Sequence, residues 1–373
     1  MSEILFFCIG DSANASTWSN VPYLFSRELE RRGVKLHRIN IAPNPLVGKL
    51  FDKTIHPFSR FFFPGNAYSY NRTALCAFFA NRRIKRAVKS FPNADFCFFI
   101  CFHYYNSYSK TPSLLFCDWT FKYLIENRFH RKPNIFERRF IRQEHAAINN
   151  AQYVISLFPE SAKVMKSDCP NANIFNFKGN VVNSFYEGSL PNPQQLIEKQ
   201  KGKHILFIGN RAYRTAAVKT AEALQYIDGE ATLDIIGMSA EELGVDNPRV
   251  KCHGYLHKDV ENERKLYYKL LLEASVVTNT KPDWGGYSSI VESMYFFTPV
   301  LVAPFGEFVK EFGKDISFGK YNELFTPQGI ACNIISILNS VNYQQMCQAA
   351  HNAVKDYTWE CFVDKVLEII DNR

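Results

Sequence analysis

The residues with the clearest chemical potential lie in the second half of the chain, between an apolar run and a predicted helix. Gly285 and Gly286 are followed by Tyr287, Ser288 and Ser289, where that helix begins. Glycines let the backbone approach a ligand closely, and the free N–H groups at a helix start, with two hydroxyls beside them, can hold an anion. The segment therefore predicts a turn that binds a diphosphate.

One acidic side chain, Glu292, follows these hydroxyls within the same helix. Its carboxylate could accept two hydrogen bonds from the hydroxyls of a ribose or a sugar while the turn holds the phosphates. The alternative is that Glu292 only complements the partial positive charge at the helix start. The favoured interpretation is a nucleotide-sugar site.

Two arginines, Arg211 and Arg214, follow the apolar run 204–208 in a loop that opens a helix. From that place they could reach the same cleft and neutralise a leaving diphosphate. Ordinary surface arginines are the competing explanation. The spacing favours a phosphate contact from one of the two and does not decide which.

The elements that must position these residues alternate along the second half. Predicted strands cover 204–208, 232–236, 249–252, 275–278 and 299–303, and predicted helices cover 216–226, 262–273 and 290–297. The first half shows the same alternation, with strands at 4–9, 34–41, 95–102, 113–117 and 153–157, and helices at 21–32, 82–90 and 137–149. Such alternation predicts parallel sheets.

A polar, proline-bearing stretch at 189–195, followed by the charged run 198–203, marks a domain boundary. We therefore predict an α/β chain of two doubly wound, Rossmann-like domains, at 1–190 and 191–350, facing a central cleft where ligands bind beyond the strand ends. Residues 351–373 are predicted to form a final helix that packs against another element, because its apolar positions form a stripe. We expect this helix to cross back to the first domain.

Composition excludes several classes of protein. The 373 residues are 46% hydrophobic and 21% charged, which suits packed cores rather than disorder. No apolar run approaches the roughly 20 residues that span a bilayer, and the N-terminus has no basic signal region, so secretion is not expected. The ten cysteines lack a C-x-x-C pair and are interpreted as reduced core residues, with no metal site.

Positive charge is concentrated in the first half. Residues 1–190 hold 25 Lys and Arg against 13 Asp and Glu, and the remainder holds 19 against 23. This asymmetry indicates that the first half meets something anionic, such as a phosphorylated substrate, a lipid head group or nucleic acid. Solvated helix faces are the simpler alternative.

Several motifs, in order, resemble those of the retaining GT-B glycosyltransferases usually called family 4. The segment 280–301 resembles the acidic-x7-Glu region of that family, and Gly209 with Arg211 and Arg214 resembles its diphosphate loop. The remaining matches are the opening loop 10–23, the Asp-x-Thr-Phe variant at 118–121, the Glu-x-x-Ala stretch at 144–156 and the Thr-Trp pair at 358–359.

This resemblance implies a cytoplasmic enzyme that transfers a sugar from a UDP- or GDP-linked donor in the second domain. The implied acceptor is a glycan or a lipid-diphosphate-linked glycan in the first domain, in bacterial surface polysaccharide synthesis. Retention of the anomeric configuration is implied. The chain has no Asp-x-Asp metal motif, so we expect metal-independent transfer with no cofactor.

Two positions depart from the family pattern. Trp284 stands eight residues before Glu292, where the family commonly has an acid, and the neighbouring Asp283 is the candidate to replace it. Asn210 occupies the usual arginine position, so the phosphate contacts are expected to shift to Arg211 and Arg214.

In the first domain, Asp118 is the predicted catalytic residue, because a carboxylate at a strand end could orient an acceptor hydroxyl or accept its proton. The alternative is that Asp118 caps the following helix. Acceptor binding is assigned to His103, at another strand end beside several tyrosines, and to Trp18 and Ser19 in the opening loop.

The segments 58–63 and 68–72 mix aromatic residues with arginines, which predicts docking on an anionic membrane surface or on a lipid-diphosphate acceptor. Three other functions remain open. They are an inverting transferase or epimerase of the same fold, an inactive GT-B module that binds sugar, and a protein that binds single-stranded nucleic acid. The acidic second half does not fit the last of these, so no nucleic-acid partner is expected.

Overall fold

The computed structural model describes residues 2–63, 65–177, 181–283 and 285–372. The chain forms two compact units, one of residues 1–178 with 363–373 and the other of residues 179–362. The chain divides after residue 178, whereas composition placed the boundary after residue 190. The reason is local bonding, since the backbone N–H of Val182 donates to Tyr357 O and that of Phe185 donates to Tyr268 Oη, both in the second unit.

The first unit is built on a six-stranded parallel sheet in the order β2-β1-β3-β4-β5-β6. The strands are β1 Glu3–Cys8, β2 Lys35–Asn40, β3 Phe96–Phe99, β4 Ser113–Cys117, β5 Tyr153–Ser156 and β6 Ile174–Phe175. Phe6 and Phe98 are register partners in the central strands, and both side chains are fully buried. Burial on both faces explains why these strands are continuous apolar runs rather than alternating ones.

Helices of the first unit follow the strands. They are α1 Val21–Arg31, α2 Pro45–Phe62, α3 Ala74–Ser90, α4 Phe121–Tyr123, α5 Ile135–Asn150 and α6 Pro159–Asp168. A capping box starts α5, where the Asn134 side chain accepts from the Glu137 backbone and the Glu137 side chain accepts from that of Asn134.

The second unit repeats this plan with the strand order β12-β11-β10-β7-β8-β9. Its strands are β7 His204–Ile208, β8 Thr232–Ile236, β9 Val250–Cys252, β10 Val276–Asn279, β11 Val300–Val302 and β12 Gly319–Tyr321. Its helices are α7 Pro193–Gly202, α8 Arg214–Ala223, α9 Ala240–Leu243, α10 Glu261–Glu273, α11 Ser288–Tyr295, α12 Gly306–Phe312, α13 Pro327–Leu338 and α14 Tyr343–Val354. The predicted α/β fold with two Rossmann-like domains is confirmed.

Both sheets contain a point where the order of strands reverses. In the first unit this point lies between β1 and β3, and in the second it lies between β7 and β10. Loops leaving the two central strands diverge there, which opens a crevice at the carboxyl edge of the sheet. The candidate site residues belong mainly to these loops.

The last helix, α15 Trp359–Asp371, returns the chain to the first unit. Val363 and Val366 are fully buried, and Asp364 forms an ion pair with Arg32 of the first unit, with Nη2 and Oδ1 2.7 Å apart. The apolar stripe that predicted this helix is therefore its packing face.

In the part of the chain that the structure describes, no helix is long and apolar enough to cross a bilayer. The ten cysteines form no disulfides. Burial raises the pKa of the Cys97 and Cys101 thiols to about 12, so both remain protonated core residues at neutral pH.

Candidate functional site

A cavity of about 490 Å³ lies at the carboxyl edge of the first sheet, where β1, β3 and β4 end. Its walls combine apolar and aromatic side chains with a small polar set, a composition typical of pockets for small polar ligands. The aromatic walls are Trp18, Phe102, Trp119, Phe121 and Phe140, and the polar groups are Asn71, Arg72, His103, Asp118 and Glu144. The structure thus brings together Trp18, His103 and Asp118, which come from three separate segments of the chain.

Asp118 follows β4 directly and lines this cavity. Its carboxylate accepts from the backbone N–H of Trp119 at 2.7 Å and from Cys117 Sγ at 3.2 Å, and burial raises its pKa. The helix that follows is capped by Thr120, whose hydroxyl accepts from Tyr123 N at 3.1 Å. The alternative role of Asp118 as the helix cap is therefore wrong.

His103 follows β3 and presents its ring to the same cavity. Burial, and then the charge of Arg72, lower its pKa to about 3, so the imidazole is neutral at physiological pH. Its Nε2 and the Nε1 of Trp119 are buried, and neither has a hydrogen-bond partner among the described residues. Unsatisfied buried polar atoms are rare in folded proteins. Both atoms are closed off from the open volume of the cavity in this structure, so a ligand hydroxyl would bond them only after a side-chain movement.

Glu144 and Arg72 complete the polar set and were not among the predicted site residues. Glu144, from α5, is 3% exposed and accepts from Phe121 N at 2.8 Å. Burial raises its pKa to about 8, so it carries a proton at neutral pH. The Arg72 guanidinium lies 4.2 Å from the Phe121 ring centroid and donates to Ala67 O. Glu144 is the first residue of the Glu-x-x-Ala stretch at 144–156. Arg72 belongs to the segment 68–72, which was predicted to be a docking surface.

The segment 68–72 is not an exposed surface. Tyr68 and Tyr70 are buried, and Arg72 lines the cavity. Its assignment to membrane docking is therefore a wrong prediction. The alternation of aromatic and basic residues reflects a packed segment that delivers one arginine to a pocket.

The opening loop contains a tight turn at Thr17–Asn20 with three successive residues at positive φ, Trp18 at 39°, Ser19 at 52° and Asn20 at 72°. This left-handed backbone carries Trp18 onto the cavity wall, with its ring centroid 6.2 Å from that of Phe116. Ser19 is exposed and is not part of the cavity lining, so the structure does not group it with the other acceptor candidates.

In the second unit, the loops after β7 and β10 meet at the reversal point of the sheet. Tyr213 Oη accepts from the backbone N–H of Gly285 at 3.2 Å, which ties the arginine loop to the glycine turn. Lys281 reaches the same place, with Nζ 3.4 Å from the Asp283 carboxylate and 5.7 Å from the Tyr213 ring centroid. Asp283 is thus paired with Lys281, a basic residue that was not among the predicted site residues.

The two arginines have different roles in the structure. The Arg214 guanidinium donates to Glu242 O at 2.7 Å and to Leu243 O at 2.8 Å, so it caps the carboxyl end of α9. Arg211 is exposed, and its guanidinium has no partner among the described residues. Arg211 is therefore the arginine that remains available for a phosphate.

The glycine turn leads into α11, which begins at Ser288. Gly286 is exposed, and Ser288 and Ser289 are partly exposed at the first helical positions. The Tyr287 side chain is fully buried against Phe308, with ring centroids 5.4 Å apart, so only its backbone can reach a ligand. Trp284 lies outside the described residues.

Glu292 lies one turn inside α11, and its carboxylate is already engaged. Lys258 Nζ lies 2.6 Å from Oε2 and 2.8 Å from Oε1, and Tyr267 Oη donates to Oε2 at 2.8 Å. Lys258 also donates to Asn183 O at 2.9 Å, and burial lowers its pKa. The Glu292 side chain is 3% exposed, so hydroxyls of a ligand would have to replace existing partners.

The position of Glu292 within α11 decides against its alternative role as a partner of the positive charge at the helix start. It is the fifth residue of α11, and the first turn of this helix contains no acid. Stabilisation by the helix dipole is confined to the first turn. Glu292 is therefore held by Lys258 rather than by the helix start.

A second hollow, of about 710 Å³, lies at the opposite, amino edge of the second sheet, between α7, α10 and segment 185–191. Ligands of doubly wound sheets bind at the carboxyl edge, so the hollow is not the candidate donor site despite its larger volume. Within the described ranges, no group of three His, Cys, Asp or Glu side chains is arranged to hold a metal ion.

No protein-family model and no curated protein matches the sequence. Solved structures do match over nearly the whole chain. Sucrose-phosphate synthase from Thermosynechococcus elongatus aligns at 14% identity with a TM-score of 0.67, covering 100% of this chain and 99% of that one. WaaG, a glycosyltransferase involved in lipopolysaccharide biosynthesis, aligns at 12% identity and a TM-score of 0.63, covering 98% and 99%. HepE from Anabaena, solved in complex with UDP and glucose, aligns at 14% identity and a TM-score of 0.61, covering 100% of both chains. The chain therefore has the GT-B fold, which these glycosyltransferases share.

Proposed function

We propose that the protein is a glycosyltransferase that transfers a sugar from a nucleotide-sugar donor to a glycan or lipid-linked acceptor. The observation that carries this proposal is the carboxyl edge of the second sheet, where the arginine loop and the glycine turn are tied together by the bond between Tyr213 and Gly285. Arg211, Lys281 and the start of α11 supply positive charge and N–H donors there, as a leaving diphosphate requires.

We assign the acceptor to the cavity of the first unit. Asp118 offers a carboxylate that can accept a hydrogen bond, Glu144 carries a proton at neutral pH, and neither His103 Nε2 nor the indole N–H of Trp119 has a partner among the described residues. Aromatic walls beside hydroxyl-binding groups suit a sugar ring, which has apolar faces and a polar rim. Asp118 is the proposed residue that orients the acceptor hydroxyl or accepts its proton.

Retention and metal independence are part of this proposal. Arginine, lysine and helix N–H groups take the charge of the leaving group, so the reaction needs no divalent cation. We expect transfer to continue in EDTA and the product to keep the anomeric configuration of the donor, as NMR would show. A product of opposite configuration would assign the chain to the inverting transferases of the same fold.

The proposed setting is the cytoplasmic side of a bacterial membrane, in the synthesis of a surface polysaccharide. This is supported by the fold shared with WaaG, which is involved in lipopolysaccharide biosynthesis, and by the basic first half of the chain. No nucleic-acid partner is proposed.

The first test is a thermal-shift screen against UDP, GDP, CDP and ADP and their common sugars, since a ligand that binds only the folded state raises its stability. We expect one nucleotide to stabilise the protein, with UDP and GDP the leading candidates. Arg211→Ala should weaken that binding roughly 10- to 100-fold, the worth of one charged hydrogen bond. Lys265→Ala, in the hollow at the opposite edge, is the matched control. A shift lost in Lys265→Ala and kept in Arg211→Ala would refute the site.

A second candidate is an inactive GT-B module that binds a sugar nucleotide without transferring it. The engagement of Glu292 by Lys258 favours it, because that carboxylate is closed to a ligand in this structure. Nucleotide binding with no turnover of any donor, including hydrolysis, would identify this function.

A further inference from the structure

Helix α2 exposes an unusual amount of apolar surface. Its 18 residues bury only Phe51 and Ser59. The exposed fractions of its large apolar side chains include 73% for Leu46, 62% for Leu50, 66% for Phe58, 80% for Phe61 and 56% for Phe62. Single exposed apolar residues are ordinary on protein surfaces, but a contiguous stripe of this size marks an interaction surface.

Helix α3 continues this surface. Leu75, Phe78 and Phe79 in its first half are 50%, 58% and 42% exposed. A small buried cluster of Phe51 from α2, Tyr68, Tyr70 and Cys76 from α3 joins the two helices. We call the exposed side chains of α2 and α3 the α2–α3 face.

The charges on this face are almost all positive. The exposed basic residues are Lys49, Lys53 and Arg60 in α2 and Arg82, Arg83, Lys85, Arg86 and Lys89 in α3, and the acidic residue of the two helices is Asp52. None of the eight basic side chains forms an ion pair within the described residues. In α2, the positions of Lys49, Lys53 and Arg60 form a row along one side of the apolar stripe at helical spacing.

We propose that the α2–α3 face docks the protein on a bilayer that contains anionic phospholipid. An apolar stripe beside a row of lysines and arginines suits a helix lying in the plane of the membrane, with phenylalanines among the acyl chains and cations at the phosphates. A nucleic acid would use the basic half of α3 but would leave the leucines and phenylalanines of α2 in water. The charge complementarity therefore selects the anionic bilayer.

Docking on the α2–α3 face rests on the membrane setting of the proposed function and narrows it to one surface. It is separate from sugar transfer itself, because no residue of the donor or acceptor site belongs to this face. The α2–α3 face replaces the docking surface predicted from the sequence. Residues 58–62 of that predicted surface belong to α2, whereas residues 68–72 are excluded because Tyr68 and Tyr70 are buried.

The test is sedimentation of the full chain with vesicles of phosphatidylcholine alone or with one quarter phosphatidylglycerol. We expect binding to the anionic vesicles that is at least tenfold tighter than to the neutral ones and is weakened by 0.5 M salt. Leu50→Ser with Phe61→Ser should reduce it at least tenfold, and Arg82→Gln with Arg86→Gln should reduce it severalfold. These positions are solvent-exposed, so the fold is retained, which a thermal melt checks.

Matched controls lie in the second unit. Leu324→Ser with Val341→Ser removes equally exposed apolar groups, and Lys265→Gln with Lys269→Gln removes exposed charges, so neither should change vesicle binding.

Equal binding to both vesicle types, or unchanged binding in the Leu50 and Phe61 variant, would overturn the proposal. A dimer in solution that this variant dissociates would also overturn it, since a second copy would then cover the face. Nucleotide binding should be the same in all these variants, which separates failure of this inference from failure of the proposed function.

Discussion

At the scale of single residues, Glu292 and Lys258 form a buried ion pair enclosed by tyrosines. Removing one partner leaves an uncompensated charge, so we expect Glu292→Ala to lower the free energy of unfolding by about 3–5 kcal/mol. Replacing both partners by apolar groups, in Lys258→Met with Glu292→Leu, should recover most of this loss. Urea unfolding of the three proteins measures both effects.

This pair changes how a loss of activity is interpreted. An inactive Glu292→Ala protein that is also destabilised would say little about ligand binding. If Glu292→Ala is as stable as the wild type, the pair is not formed in solution, and the carboxylate is free to bind a ribose or a sugar.

Glu144 gives a prediction for pH. Its pKa is about 8 in the folded protein against 4.5 ordinarily, so between these values the folded state binds more protons than the unfolded state. Stability must then fall as pH rises through that window, by about 5 kcal/mol in full. In Glu144→Gln this contribution is absent, so the difference in stability between the variant and the wild type should grow in favour of the variant from pH 5 to pH 8.5. Urea midpoints across this range test it, and parallel curves for the two proteins would contradict it.

The candidate site residues fall into two groups, those that the neighbouring sequence identifies and those that only contacts distant in the sequence identify. Arg211, Ser288 and Asp118 could be selected as candidates because each lies just beyond an apolar strand or at a helix start. Arg72 and Lys258 could not, because their roles depend on contacts with Phe121 and Glu292, which are far away in the sequence. The choice between Arg211 and Arg214 required the position of α9, whose carbonyls Arg214 caps.

At the scale of elements, the turn after β8 positions the arginine loop. Gly237 has a φ of +101°, and a Cβ added there would lie 2.6 Å from Gly209 O. We expect Gly237→Ala to destabilise the protein by about 2 kcal/mol or more, because it combines a strained backbone with a steric clash. Gly229→Ala, where a Cβ has no neighbour within 4 Å, is the control and should change stability by less than about 1 kcal/mol.

Nucleotide binding adds a second measurement for this turn. Displacement of Gly209 moves the loop that carries Arg211, so Gly237→Ala should also weaken the nucleotide identified by the thermal-shift screen. A stable Gly237→Ala protein with normal affinity would show that the two loops are not tightly packed.

Some elements were predictable from the sequence and others were not. The buried strands and α15 follow from apolar runs and a clear stripe, so pattern alone identifies them. Helix α2 was missed because its apolar stripe faces solvent and Pro57 interrupts it. The start of α2 could have been predicted from neighbouring residues, because Asn44 is a typical helix cap, accepting from Leu46 N, and Pro45 suits the first helical position.

At the scale of the whole molecule, α15 begins in the second unit and ends in the first. Val366 is fully buried in that helix, whereas Glu368 is exposed. We expect Val366→Ala to cost about 2 kcal/mol through lost burial and a small cavity, and Glu368→Ala to cost little. Compact units of a protein can unfold separately, so the loss should appear where Val366 packs. Hydrogen exchange should therefore quicken in β1–β6 and stay unchanged in β7–β12. Equal loss of protection in both sheets would show instead that the two units unfold as one. Helix α15 would then stabilise the whole chain rather than the first unit alone.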